Sequence, residues 1–81
     1  MIIKVLGPGC RSCLILERVT SEAVEALGIK ATVEKVEDFQ SIARYGVMST
    51  PALVIDERVI FAGRVPNPRQ IQKIITAANA G

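Results

Sequence analysis

The chain is 81 residues long, 49% hydrophobic and 22% charged, with a net charge of +2; a sequence this short forms one domain, residues 1–81, and its composition excludes the sparse-apolar, high-charge class that stays disordered. Its ten basic residues are scattered between Lys4 and Lys73 and form no stripe, which excludes the usual footprint of a nucleic-acid partner. No apolar run reaches the length of a signal-peptide core or a membrane span, so no membrane partner is expected and the cytoplasm is the expected compartment.

Ile2 to Leu6 is a short apolar run closed by Gly7-Pro8-Gly9, the pattern of a buried strand. Leu16, Val19, Ala23 and Leu27 recur at three- and four-residue spacing, which predicts a helix from about Cys10 to Leu27, stopped by Gly28. From Ile29 to Val36 apolar and polar residues alternate as in a half-buried strand, with Lys35-Val36 breaking the phase at a bulge or strand end. Asp38 then serves as N-cap of a short helix carrying Phe39, Ile42 and Ala43, with Gly46 as its stop.

After Thr50-Pro51, the runs Ala52 to Ile55 and Val59 to Ala62 flank the polar break Asp56-Glu57-Arg58 and predict a β-hairpin. Asn67-Pro68 opens a last helix whose apolar face is Ile71, Ile74, Ile75 and Ala78. The order β-α-β-α-β-β-α gives an α/β fold, a mixed four-stranded sheet with helices on both faces. The three aromatics, Phe39, Tyr45 and Phe61, lie far apart beside apolar neighbours and are expected in the core instead of on a base-stacking platform.

Both cysteines fall in Cys10-Arg11-Ser12-Cys13. As a staple the pair is weak, because the chain-entropy argument gives so small a loop only about 2 kcal/mol. In a reducing compartment, closely spaced cysteines are catalytic or metal-binding more often than structural. At a helix start the free N–H groups and the helix dipole favour a thiolate, and a gain of about 1 to 2 kcal/mol lowers a thiol pKa by roughly one unit from 8.5. Cys10 at the exposed tip is the expected attacking thiol, and Cys13, one turn inward, the resolving one. Arg11 either adds to thiolate stability or is a solvated surface arginine; Ser12 is exposed at the helix start.

A strand, Cys-x-x-Cys at a helix start, a β-α unit, and Ser49-Thr50-Pro51 leading into a hairpin and a final helix together resemble the thioredoxin-like superfamily across nearly the whole chain. Within it, the length, GPGCRSC and STPALVID are similar to the small redox-active disulfide proteins of archaea and bacteria, the mini-thioredoxins or glutaredoxin-like thioredoxins. The resemblance implies a thiol–disulfide oxidoreductase acting on protein disulfides, with a separate disulfide reductase restoring the dithiol; no cofactor, no metal and a monomer are the expectations for this chain. It implies Cys10 and Cys13 as catalytic residues, with Gly9, Arg11 and Ser12 supporting them. It also implies a cis Thr50-Pro51 bond beside the pair, with the Thr50 backbone free to bind substrate.

The sequence departs from larger relatives in having no tryptophan before Cys10, no proline between the cysteines and no acid within Ile2 to Leu6. The proton acceptor for Cys13 is thereby unassigned; Lys4 either sits beneath the pair or snorkels from a partly covered sheet face. Gly63 resembles one glycine of the glutaredoxin glutathione site, but Gly63-Arg64-Val65 lacks the second, which argues against glutathione use. The same cysteines also suit a soft-metal or redox-sensing interaction module. With no histidine and no third cysteine, a zinc site would need two chains, whereas two-coordinate Cu(I) would not.

Overall fold

The computed structural model of the protein describes residues 1–80, in which seven elements follow in the expected order. They are β1 (Ile2–Leu6), α1 (Arg11–Leu27), β2 (Thr32–Val36), α2 (Phe39–Arg44), β3 (Ala52–Ile55), β4 (Arg58–Ala62) and α3 (Pro68–Ala80). The sheet order is β2-β1-β3-β4, with β1 parallel to β2 and antiparallel to β3, and β3 antiparallel to β4.

Alternation along β1 divides the molecule. Ile3 and Val5 join Leu53, Ile55 and Phe61 in a core closed by Leu16 and Ala23 of α1 and Ile71 and Ile75 of α3. Leu6 points the other way and packs with Ala52, Val54 and Ile42 of α2. Period-two side-chain geometry makes this division unavoidable once β1 is central.

Local chemistry fixes each element's ends. Gly28 caps α1 at φ 65°, its N–H reaching the carbonyls of Val24 and Glu25 at 3.1 and 3.2 Å. Asp38 caps α2 by accepting the Ser41 N–H at 3.0 Å, which holds its carboxyl below the usual range. Asn67 and Gln70 exchange side-chain-to-backbone hydrogen bonds of 2.9 and 3.1 Å at the start of α3, with Pro68 as its first helical residue. The hairpin turns on Asp56 and Glu57, both at positive φ, the geometry that matches strand twist. Asp56 ties that turn to β1, accepting the Ile2 N–H through Oδ1 and donating its own N–H to the Ile2 carbonyl, both at 2.8 Å.

Three expectations need correction, and one alternative is decided. The first helix begins at Arg11, because Cys10 has extended backbone and is the N-cap. Pairing in β2 begins at Thr32, since Ile29 and Ala31 pack against the core without joining the ladder. The phase break at Lys35-Val36 is the strand end; the bulge lies between Leu53 and Val54 opposite β4. Phe39 is 74% exposed instead of buried, because the short α2 turns Ile42 inward and leaves Phe39 outside. Phe61 is in the core and Tyr45 at its margin.

Candidate active site

Parallel pairing brings the C-terminal ends of β1 and β2 to one end of the sheet, and antiparallel pairing brings the N-terminal end of β3 and the C-terminal end of β4 there too. Cys10 to Cys13, Glu37, Ser49 to Pro51 and Gly63 therefore share that end. None of this proximity beyond the cysteine motif is visible as local spacing.

Cys10 and Cys13 form a disulfide with Cα atoms 5.0 Å apart. The Cys10 Sγ accepts the Cys13 N–H at 3.2 Å, so the sulfur itself occupies the N-cap position of α1. This contact satisfies one of the free donors of the first turn and would stabilise negative charge on Cys10 once the bond opens. The two residues differ in access: Cys10 is exposed, whereas Cys13 is 4% exposed. Arg11 and Ser12 are exposed on the same turn.

Gly7 explains how Cys13 fits. Its N–H is bonded to the Val36 carbonyl at 2.9 Å, which anchors the loop to the end of β2. A Cβ at Gly7 would stand on Cys13 Sγ, 3.0 Å from Cys13 Cβ and 3.8 Å from Thr50 Cβ. The missing side chain is thus the space where the motif and the proline loop meet. In the sequence, Gly7 shows only as a turn residue.

The Thr50-Pro51 peptide is cis, with Thr50 exposed and Pro51 buried. Pro51 accepts the Gly63 N–H at 2.8 Å. Gly63 has φ 80°, and a Cβ there would lie 2.9 Å from Ser49 Cβ. Gly63 therefore supports the proline loop from β4, a role that the sequence comparison with a glutathione site did not anticipate. Gly9, at φ 85°, lets the chain turn into α1, and a Cβ there would lie 2.9 Å from Glu37 Oε2.

Lys4 is not beneath the pair. It lies on the α2 side of the sheet, where its ammonium donates to Tyr45 OH at 2.9 Å and Glu57 Oε1 at 2.7 Å. Tyr45 OH also approaches the two Glu57 carboxylate oxygens at 3.1 and 3.2 Å. These contacts raise the Lys4 pKa and lower that of Glu57. Among the described residues, no three His, Cys, Asp or Glu side chains converge as a metal site, and no helix is long and apolar enough to cross a membrane.

Comparison with known proteins agrees with this architecture. Residues 1–76 match the thioredoxin domain family. A thioredoxin of Methanothermobacter thermautotrophicus is 37% identical over 76 residues, covering 94% of this chain and 99% of that protein. A thioredoxin of Methanocaldococcus jannaschii is 34% identical over 73 residues, covering 90% and 84%. A solved structure described as that of a malarial protein has the same fold at a TM-score of 0.66 and 17% identity, with 94% of this chain and 93% of that one covered. The chain belongs to the thioredoxin family and is a thiol–disulfide oxidoreductase.

Proposed function

We propose that Cys10 is the attacking thiolate and Cys13 the resolving thiol in the reduction of protein disulfides. The observation that carries this assignment is the asymmetry of the pair: an exposed Cys10 whose sulfur accepts an N–H, beside a buried Cys13. Cys10 attacks one sulfur of a client disulfide, forming a mixed disulfide and expelling the other client sulfur as a thiolate. Cys13, deprotonated, then attacks Cys10 Sγ, closing the Cys10–Cys13 bond and releasing the second client thiolate. The two client thiolates take up protons, so the client gains two electrons and the protein loses two.

Thr50 and Pro51 are the substrate-binding residues in this reading, since exposed Thr50 lies beside the pair and can present its backbone to an extended segment. Gly9 shapes the approach to Cys10, and Arg11 and Ser12 form the exposed turn around it. Protein disulfides as substrates and a reductase as electron source follow from the family. We further propose that residues 1–81 act as one domain and as a monomer, because Cys10, Cys13, Thr50 and Pro51 all come from one chain, and that the compartment is the cytoplasm.

The test is a pair of variants. Cys10→Ser is expected to abolish reduction of a disulfide protein such as insulin, while Cys13→Ser accumulates a covalent mixed disulfide visible by non-reducing electrophoresis and mass spectrometry. Trapping through Cys13 in the Cys10→Ser protein, with none in Cys13→Ser, would reverse the roles. Light scattering of the purified protein checks the monomer.

A further inference from the structure

The proline loop and the cysteine motif leave one charged neighbour unexplained. Glu37 follows β2, whose last residue, Val36, is bonded through its carbonyl to Gly7. This anchoring sets the glutamate beside the loop, and its Oε2 lies 2.9 Å from where a Cβ on Gly9 would stand. Gly9 immediately precedes Cys10, so the carboxylate reaches the nucleophile's own approach to the helix.

We propose that Glu37 is a positioning residue of the redox couple, its carboxylate lying against Gly9 so that negative charge stands near Cys10 and opposes thiolate formation. This rests on Cys10 being the attacking thiol. Other charged groups near Glu37 are Arg11 on α1, Lys35 of β2 paired with Glu17 of α1 at 3.8 Å, Asp38 at the cap of α2, and Arg64 beyond β4. Asp38 is engaged with the Ser41 N–H, and Arg64 lies over the Phe61 ring at 5.3 Å. Glu37 thus acts against the favourable influence of the first turn of α1 on the thiolate.

The direction follows from linkage. Opposing the thiolate destabilises the reduced form, so Glu37 makes the dithiol a stronger reductant, at the cost of a smaller thiolate fraction. For unit charges roughly 7 Å apart in water, Coulomb's law gives about half a pKa unit, or up to about threefold in the thiol–disulfide equilibrium. Such an exposed interaction also weakens with salt.

The experiment compares wild type, Glu37→Gln and Glu37→Asp. The pKa of Cys10 is read from the pH dependence of alkylation in a Cys13→Ser background, and the equilibrium of the intact pair is read in glutathione buffers. Glu37→Gln is expected to lower the Cys10 pKa by about half a unit and to shift the equilibrium up to about threefold toward the dithiol. Both effects should shrink in 1 M salt, and Glu37→Asp should retain most of the wild-type behaviour. Coincidence of Glu37→Gln with wild type in both readouts overturns the proposal, as does a shift that salt leaves unchanged. If Cys10→Ser still reduces disulfides, the nucleophile assignment fails and this inference with it; if Cys10→Ser is inactive and Glu37→Gln is silent, only the Glu37 inference fails.

Discussion

Gly7 and Cys13 occupy complementary space: the hydrogen of the glycine faces the buried sulfur, and any Cβ would clash with it. Gly7 is itself buried at the end of β1, so neither partner has an easy retreat. Gly7→Ala is therefore expected to destabilise the oxidised protein by about 1 to 3 kcal/mol, the usual range for overpacking. Urea unfolding measures the loss, and the glutathione equilibrium should move toward the dithiol as Cys13 is displaced.

Thr20 offers the opposite opportunity. It is fully buried on α1, and its Oγ1 finds no hydrogen-bond partner among the described residues. Replacing the hydroxyl by a methyl of similar volume removes a desolvation penalty at little steric cost. Thr20→Val should raise stability by about 1 kcal/mol in urea unfolding and leave turnover unchanged.

The Lys4–Tyr45–Glu57 cluster gives stability two pH limbs. Hydrogen bonds from Lys4 and then Tyr45 lower the Glu57 pKa from its ordinary value of 4.5, so its contribution is present above that value and is lost as pH falls through the folded-state pKa. Bonds to Glu57 and then Tyr45 raise the Lys4 pKa above 10.5, so its contribution is present below 10.5 and is lost as pH rises through the folded-state pKa. Lys4→Met should flatten both limbs of a plot of thermal midpoint against pH. Glu57→Gln should flatten the acid limb only in part, because Asp38, lowered by its bond to Ser41, also contributes there.

Gly63 meets two constraints, a φ of 80° and the Ser49 side chain 2.9 Å from any added Cβ. Gly63→Ala is expected to cost about 1 to 3 kcal/mol through backbone strain alone. Because Gly63 donates to the Pro51 carbonyl, client reduction should also show a raised KM. Unfolding and steady-state kinetics read the two consequences separately.

The elements were legible where the signal is local. Cys10 and Cys13 announce themselves by spacing and by the helix that follows, and Asp56-Glu57 between two apolar runs marks the hairpin. Phe39 misled because its spacing from Ile42 looks like a helix face, yet α2 has six residues and the sheet beneath offers only a small surface around Leu6, Ala52 and Val54. Ile29 and Ala31 carried the strand pattern too far because packing against the core needs alternation just as pairing does. Gly7 beside Thr50 and Glu37 beside Gly9 were hidden, since each meeting depends on how separate strands align.

The alternation along β1 has a consequence for how the molecule can change. Ile3, Val5 and Gly7 share the face of α1 and the disulfide, while Lys4 and Leu6 belong to the face of α2. The sheet acts as a partition between the dithiol and the Lys4 cluster. Charge beneath α2 can be exchanged to adjust stability without retuning the couple, and residues around Gly9 can retune the couple without disturbing that cluster. Two properties that often compete in so small a protein are thus assigned to opposite sides of one strand.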